Sequence, residues 1–374
     1  MPVARRSILI VLSFAFFMMA SSPALSAAPR EDRPPVDVKH LILEHLKDSY
    51  HWHLFSTENK EIGIPLPVIV RSRERGWFFF FSSHLIEEEE YEGFYIAKEG
   101  RYEGKLVETD TQGQQVRPFD ISITKDVLAL FFSCGLLMLL VLSLAKRYKK
   151  QEMRGKSDAV PAGVMGVMEW FIMSIHDGMI KKCVGKDYKR YAPYLLTAFF
   201  FIFLNNVLGL IPLFPGGANL TGNITITFGL AFFTMVAVNL FGNKEYWKEI
   251  LWPDVPVFMK VPVPIMQIIE FFGILTKPMA LMIRLFANIF AGHIIILALT
   301  SLVFLTVAMG PVINVSMSAV SVLFSVFMLA LELLVAYIQA YVFTMLSSIF
   351  IGLSRQATHK IRPACAVESN KNEN

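Results

Sequence analysis

The sequence predicts an all-α polytopic membrane protein of about five membrane helices, which ends in a long tilted helical hairpin and carries a small α+β extramembrane domain near its N-terminus. The composition supports this class, because 54% of the residues are hydrophobic and only 18% are charged, whereas soluble domains contain roughly 25% charged residues. The distribution supports it too, because the apolar residues form runs long enough to cross a bilayer, while residues 28–120 are polar. We therefore expect an outer domain at 28–120 and a membrane domain at 121–374.

Residues 1–27 have the three parts of a secretory signal peptide. Arg5 and Arg6 form its basic region, residues 7–20 form its apolar region, and the small residues of ALSA provide a cleavage site. The alternative is an uncleaved membrane helix, which the short apolar region disfavours because a span needs about 20 such residues. With either interpretation, the residues that follow lie outside the cytoplasm.

The outer domain is predicted to contain a helix and several strands. Residues 36–56 begin with the spacing of an amphipathic helix, and three strand-like stretches follow, separated by charged turns. These stretches are IPLPVIV at 64–70, GWFFFFSSH at 76–84 and GFYIAK at 93–98. The domain contains none of the three cysteines, so we expect no disulfide. We also expect no metal site, because no ligand motif accompanies its histidines. Those histidines, interpreted as exposed residues of a helix face, are His40, His45, His51 and His53.

Positive charges set the orientation of the membrane helices. The first helix is predicted at about 126–145, and six basic residues follow it between Lys146 and Lys156. The positive-inside rule places that loop in the cytoplasm, which agrees with a periplasmic N-terminal domain. The basic residues of the C-terminal tail place that tail in the cytoplasm as well: Arg355, His359, Lys360 and Arg362.

The middle of the chain contains one ambiguous segment and two clear spans. Residues 160–185 carry charges among helically spaced apolar residues, so they are interpreted as an amphipathic helix at the inner surface, with a weak span as the alternative. Spans are predicted at about 191–213 and 223–241. Prolines interrupt residues 251–264, which predicts a re-entrant or interfacial turn buried in protein or lining water.

Two very long apolar runs, at about 265–308 and 311–353, end the membrane domain. Gly310 and Pro311 separate them, and this dipeptide is a turn signal. Each run exceeds the ~20 residues that cross a bilayer perpendicularly. Each helix is therefore expected to be steeply tilted, broken in two, or extended beyond the membrane.

Five polar side chains interrupt this hairpin: Arg284, Asn288, His293, Glu332 and Gln339. Ionisable groups at membrane depth are costly and are candidates for a functional site. The alternative is a polar network that only ties the helices together. An antiparallel hairpin that turns near residue 310 predicts two polar tiers, with His293 level with Glu332 and Arg284 level with Gln339.

The chemistry of the two tiers differs. An imidazole and a carboxyl group can both exchange protons near neutral pH when their surroundings shift them, whereas arginine stays charged in proteins. This pattern suggests a proton path that meets a fixed positive charge. That charge needs an acidic partner, and a carboxylate on another subunit is the natural complement.

These residues lie in stretches that resemble subunit a of the rotary, F-type ATP synthases, the stator channel subunit of their membrane sector. The matching stretches are TKPMALMIRLFANIFAGH at 276–293, LELLVAYIQAYVFTML at 331–346, FLNNVLGLIP at 203–212 and NITITFGLAF at 223–232. The likeness covers roughly residues 120–355 and leaves most of the outer domain outside it. Two features depart from the common pattern: Ala287 replaces a glycine, and the acid and imidazole of His293 and Glu332 are exchanged.

The resemblance implies a proton-translocating subunit that performs no catalysis by itself and binds no cofactor. Arg284 would attract the essential carboxylate of a ring of c subunits and block a direct leak between two offset half-channels, and Glu270 would lie near the cytoplasmic exit. Four residues would line the access channel from the outer side: Asn288, His293, Glu332 and Gln339.

The resemblance also implies a set of partners. These are the c-subunit ring, the b subunits of the peripheral stalk, the soluble ATP synthase head through the stalks, and the lipid of a bacterial inner membrane, with no nucleic acid among them. Two alternatives remain open from the residues alone, a secondary transporter that binds a small anion at Arg284 and a structural membrane scaffold.

Overall fold

The computed structural model describes residues 48–355, apart from 58–59, 74, 88–89, 98–99, 110–114, 154–162, 212–216, 218–219, 252–264 and 307–309. Four predictions fall outside these residues: the signal peptide, the helix before residue 47, the turn at 251–264 beyond its first residue, and the basic tail after Arg355.

The described part of the outer domain consists mainly of short antiparallel strands. They are β1 (His51–Thr57), β2 (Lys60–Pro65), β3 (Pro67–Ser72), β4 (Gly76–Phe81), β5 (Glu90–Tyr91), β6 (Phe94–Ile96), β7 (Leu106–Thr109), β8 (Gln115–Val116) and β9 (Phe119–Asp120), with a short helix α1 (Ser83–Glu87) after β4. They form three sheets with the orders β1-β2, β4-β3-β9 and β5-β6-β7-β8. The strand-like stretches of the sequence are thus strands in the structure. The interpretation of His51 and His53 as residues of a helix face is wrong, because both lie on β1 and pair with β2.

The core of this domain follows from the alternation of β3. Val68 and Val70 are fully buried and pack with Phe80, Phe94 and other apolar residues. Successive side chains of a strand point to opposite faces, so the residues between them face the other side of the sheet. The domain therefore has one buried face and one outward face on its β4-β3-β9 sheet.

Eight helices make up the described membrane domain. They are α2 (Lys125–Met153), α3 (Val164–Ile175), α4 (Lys181–Val184), α5 (Tyr188–Leu210), α6 (Ile224–Leu240), α7 (Lys244–Leu251), α8 (Ile265–Leu305) and α9 (Pro311–Arg355). Within the described residues, four segments are long and apolar enough to cross a membrane, and α6 is a shorter apolar helix. The predicted fold class, a polytopic helical membrane protein of about five membrane helices, is confirmed.

The ambiguous segment at 160–185 is more complex than one helix. It contains α3, a π-helical turn at His176–Ile180, and α4. Gly185 ends α4 with a φ of 76°, a left-handed conformation that glycine adopts without steric cost.

The last two helices have the predicted lengths and the predicted turn. Helix α8 contains 41 residues and α9 contains 45, so each is about 60–70 Å long at 1.5 Å per residue. Gly310 precedes α9 with a φ of 101°, and Pro311 is the first residue of α9, where its missing N–H is not needed. Because a bilayer core is about 30 Å thick, helices of this length must be strongly tilted or extend beyond it.

The described residues divide between two units. Of the described residues, the larger unit comprises 48–290 together with 333–355. Its membrane core is one apolar cluster. Residues of α3 to α6 form most of this cluster, and α8 and α9 contribute those of their residues that lie in the larger unit. The members include Phe199, Ile202, Leu281, Leu285, Ala340 and Phe343.

The smaller unit comprises residues 291–332, which are the end of α8 and the beginning of α9. Side chains link the two helices there. Thr306 Oγ1 donates a hydrogen bond to Asn314 Oδ1 at 3.0 Å, and the Ser321 hydroxyl donates one to the carbonyl of Leu299.

Candidate functional site

The smaller unit brings His293 and Glu332 together. The Nε2 atom of His293 lies 3.9 Å from Oε1 of Glu332, whose side chain is only 5% exposed. The sequence predicted this pairing from the position of the hairpin turn alone. A separation of 3.9 Å is too long for a direct hydrogen bond and suits an ion pair or a water that bridges the two groups.

Gly292 gives the Glu332 carboxyl group its space. A Cβ atom at position 292 would lie 2.7 Å from Glu332 Oε1 and 3.0 Å from its Cδ, which is closer than non-bonded atoms tolerate. Neither carboxyl oxygen has a hydrogen-bond partner among the residues that the structure describes. A buried carboxyl group without a fixed hydrogen bond is costly, which is typical of groups kept for function.

Arg284 lies in the larger unit, on the outward side of α8. The adjacent residues on that side, Ala280, Ile283 and Ala287, are also exposed, while Leu281 and Leu285 point into the core. Arg284 forms no hydrogen bond or ion pair with any residue in the described ranges. Arg284 therefore places a permanent positive charge among exposed apolar side chains of α8.

Asn288 and Gln339 are half-buried. Their neighbours Leu285 and Ala340 belong to one buried cluster of the larger unit. No hydrogen bond links Arg284 to Gln339 within the described chain, so the second tier, with Arg284 level with Gln339, stays a prediction.

Glu270 is half-buried at the beginning of α8, and it lies near a small cavity. Burial of the Tyr246 side chain on α7 raises its pKa, and the negative charge of Glu270 raises that pKa further. Tyr246 donates a hydrogen bond to Asn239 Oδ1 at 2.9 Å. Both residues, with Lys277, line a cavity of about 30 Å³, which is room for one water molecule.

Several polar contacts in the larger unit were missed by the sequence interpretation. Thr221 Oγ1 donates to Asn206 Oδ1 at 2.6 Å, and Asn206 Nδ2 donates to the carbonyl of Ala336 at 3.5 Å. Asn223 Nδ2 donates to Asp126 Oδ2 at 2.8 Å. Asn206 interrupts an apolar run, and that signal was available in the sequence.

Arg355 forms the other missed contact, at the end of α9. Its Nε and Nη2 atoms donate to Asp187 Oδ2 at 2.8 and 2.6 Å, and its Nη1 donates to the carbonyl of Phe241 at 3.0 Å. Asn243 Nδ2 donates to the carbonyl of Arg355 at 2.8 Å. These bonds attach the end of α9 to two other segments of the membrane domain.

These features define a polytopic membrane protein whose final hairpin carries a paired acid and imidazole and an exposed arginine. Residues 127–352 match the family model described as ATP synthase A chain, and residues 41–122 match one described as Domain of unknown function (DUF8433). The chain belongs to the ATP synthase A chain family.

Individual relatives agree with the family match. Proteins named ATP synthase subunit a are 41% identical over 241 residues in Chlorobium phaeobacteroides, 42% over 240 residues in Pelodictyon phaeoclathratiforme, and 37% over 247 residues in Chloroherpeton thalassium. These alignments cover 63%, 63% and 64% of this chain, and 66%, 66% and 68% of the relatives. The chain thus spans just under two thirds of the length of the first two relatives.

Proposed function

We propose that the chain is the proton-translocating stator subunit of the membrane sector of a bacterial ATP synthase. It performs no covalent catalysis, and ATP is made on other subunits. Membership of the ATP synthase A chain family supports this function, and the same family match disfavours a secondary transporter of small anions and a structural scaffold. The chain then works between a ring of c subunits, the b subunits of the peripheral stalk, and the soluble head that the stalks hold.

The observation that carries this proposal is the exposure of Arg284. A guanidinium group among exposed apolar side chains of a membrane helix is costly against lipid. The cost falls when a carboxylate approaches it, and a planar guanidinium is well suited to that partner. A rotating ring that brings one carboxylate after another past Arg284 meets this requirement. The fixed charge of the arginine promotes release of the carboxyl proton and prevents direct passage between two half-channels.

His293 and Glu332 form the access path from the outer side in this proposal. Both groups can gain and lose a proton near neutral pH in a suitable environment, and their 3.9 Å separation admits a bridging water. Asn288 and Gln339 offer polar amides on the same two helices. Protons thus move along the pair toward the ring carboxylate.

The cytoplasmic exit in this proposal lies near Glu270. Its neighbour Tyr246 lines the water-sized cavity together with Asn239 and Lys277. The hydrogen bond between Tyr246 and Asn239 places two polar groups beside this mostly apolar cavity. The basic residues that the sequence places after the first span lie mostly in the last turns of α2, from Lys146 to Lys150. This basic end of α2 and the basic tail are cytoplasmic in this orientation, and the N-terminal domain is periplasmic.

The experiment that tests the proposal is Arg284→Ala in the assembled complex. Inverted membrane vesicles are supplied with ATP, and proton uptake is followed with a pH-sensitive dye, while membrane-bound ATPase activity reports assembly. Proton uptake is expected to fall to background with assembly retained. Thr300→Ala is the matched control, because it truncates another exposed side chain of α8 that bonds only to carbonyls of its own helix. Normal pumping by the assembled Arg284→Ala complex would contradict the proposal.

A further inference from the structure

The outward face of the β4-β3-β9 sheet carries large apolar side chains that nothing in the described chain covers. Five of them are between 48% and 65% exposed: Trp77, Phe79, Phe81, Phe119 and Ile121. We call these five residues the aromatic face. A contiguous apolar surface of this kind marks a membrane or protein contact in a soluble domain.

The strand register makes the aromatic face continuous. Trp77 pairs with Arg71, which pairs in turn with Phe119. The rings of Trp77 and Phe119 are 6.5 Å apart, and those of Phe79 and Phe81 are 5.9 Å apart. The rings are therefore held by the sheet and by each other, with little further ordering needed to bind a surface.

The aromatic face is directly connected to a membrane helix. Extended pairing with β3 continues beyond β9, since the N–H of Ile123 donates to the carbonyl of Pro67 at 3.1 Å. Helix α2 begins at Lys125, only four residues after Ile121. At about 3.3 Å per extended residue, Ile121 lies within ~13 Å of the first residue of the helix. Phe81 pairs with Pro67 and is thus at the same end of the sheet.

Further contacts fix the domain to the outer ends of the membrane helices. The N–H of Lys125 donates to the carbonyl of Ser49 at 2.9 Å. Trp52 of β1 packs with Ala129 of α2 and with Leu220, which precedes α6. The domain is therefore held beside the bilayer surface and is not a free module on a linker.

The charges on the aromatic face complement lipid headgroups. Arg71 lies within the face, with its guanidinium carbon 5.8 Å from the centre of the Trp77 ring, and Arg73 and Arg117 are exposed nearby. The acidic residue of β9, Asp120, accepts a hydrogen bond from Tyr50 on the other side of the sheet. Tryptophan and arginine are common at the headgroup level of membranes. In this sheet, Trp77 and Arg71 lie at the end farther from α2.

We propose that the aromatic face is a lipid-binding surface that lies in the interfacial layer of the outer leaflet. Phe81 and Ile121 penetrate deepest, Phe79 is intermediate, and Trp77 with Arg71 remains among the headgroups. This binding holds the outer domain against the bilayer independently of proton translocation. It assigns a ligand, an anionic phospholipid bilayer, to a domain whose family description gives no function.

The test uses spin labels on the full-length chain in vesicles of phosphatidylglycerol and phosphatidylcholine. Cys134, Cys183 and Cys365 are first replaced by serine, and single labels are then placed by Phe81→Cys, Phe79→Cys and Trp77→Cys. Glu103→Cys is the control, because Glu103 is exposed in the turn before β7. Collisions of the label with oxygen, which concentrates in lipid, are compared with collisions with a water-soluble nickel complex.

We expect the ratio of oxygen to nickel collisions to be highest at position 81, lower at 79 and lowest at 77, and to be reversed in favour of nickel at 103. Ratios at 81 and 79 that equal the ratio at 103 would overturn the proposal, because the face would then be in water. Protection from both reagents would also overturn it, because a protein, from this chain or another, would then cover the face.

A charge variant tests the headgroup contact separately. Arg71→Glu combined with Arg117→Glu, with the label at position 81, is expected to lower the oxygen ratio in anionic vesicles and to leave it nearly unchanged in vesicles of phosphatidylcholine alone. An unchanged ratio in anionic vesicles would overturn the contact between these arginines and anionic headgroups. Membrane-bound ATPase activity, measured after each variant has assembled into the ATP synthase, confirms that the substitutions leave the chain folded and able to assemble.

Discussion

Two arginines of the final hairpin, Arg284 and Arg355, have opposite environments. Arg355 donates hydrogen bonds to Asp187 and to a backbone carbonyl of its own chain. Arg284 is exposed on the apolar side of α8 and contacts no hydrogen-bond acceptor among the described residues. Arg355 is thus satisfied within its own chain, whereas the residues that the structure describes leave Arg284 without an acceptor.

The carboxyl groups differ from one another in the same way as the two arginines. Asp187 and Asp120 are bonded to side chains of the same chain, but the oxygens of Glu332 have no hydrogen-bond partner in the described part of the chain. Polar groups satisfied internally should affect stability when they are removed. Polar groups left unsatisfied should affect proton movement and leave stability nearly unchanged.

Arg284→Ala should give the largest effect on transport and almost none on stability. ATP-driven pumping is expected to fall to background, while the temperature at which the solubilised complex loses its bound ATPase stays within error of the parent. Truncation removes no hydrogen bond or ion pair with a residue that the structure describes, which is the physical reason. A lowered inactivation temperature would place Arg284 in the same class as Arg355.

Exchanging His293 and Glu332 should give the next largest effect. Each single change, His293→Glu or Glu332→His, produces two like groups at one level and is expected to reduce pumping strongly. The double exchange restores one acid and one imidazole, so its pumping should exceed that of either single variant. A double variant worse than both singles would argue against a functional pair. Pumping is measured in inverted vesicles at equal membrane-bound ATPase.

Gly292→Ala should give an intermediate effect. The new methyl group would lie 2.7 Å from Glu332 Oε1, so the flexible end of that side chain must move away from its present position. Pumping is expected to fall severalfold with assembly retained. Gly135→Ala is the matched control, because a Cβ atom there meets nothing within 4 Å. Equal pumping by the two variants would show that the position of the carboxyl group is unimportant.

Arg355→Ala should affect stability more than transport. Loss of the charged hydrogen bonds to Asp187 is expected to cost roughly 1–2 kcal/mol, because both side chains are partly exposed to solvent. The measurement is the inactivation temperature of the solubilised complex, together with pumping per assembled complex. Pumping that disappears while assembly is complete would break the distinction between the two arginines.

Tyr50→Phe should have the smallest effect and should leave pumping unchanged. Burial, and then the hydrogen bond to Asp120, raises the pKa of Tyr50. A tyrosine whose pKa is raised in the folded state stabilises the fold below about pH 10, its ordinary pKa, and loses that contribution as the pH rises further. The outer domain of the parent should therefore lose stability as the pH rises above about 10.

The substitution should cost about 1 kcal/mol at neutral pH and weaken the alkaline dependence. Hydrogen exchange of peptides from β3 and β7 measures both effects. Identical alkaline opening in the parent and in Tyr50→Phe would exclude Tyr50 as its cause.

The sequence was sufficient for the membrane helices and for one polar tier. Long apolar runs predicted α5, α6, α8 and α9 with small errors at their ends, and the turn at Gly310 allowed the pairing of His293 with Glu332 to be counted. Both signals are local, since hydropathy and a turn dipeptide need no knowledge of distant contacts.

Contacts between distant segments were beyond sequence reasoning. Asp187 and Arg355 are separated by 168 residues, and nothing in either neighbourhood indicates the other. Strand β1 was mistaken for the continuation of a helix because its alternation is short and overlaps helical spacing. The exposure of Arg284 also required the structure, because the direction of a residue around a helix depends on which of its apolar sides packs inward.

The absence of a side chain at Gly292 is a sequence feature that accompanies the acid–imidazole pair, and other chains can be searched for it. Glu332 occupies the volume that a side chain at 292 would need, so a long acid at one position and a bulky residue at the other exclude each other in this arrangement. Two positions therefore indicate where the acid lies: the glutamate itself at 332 and the glycine at 292 on the facing helix. Across related chains, the two positions are expected to covary.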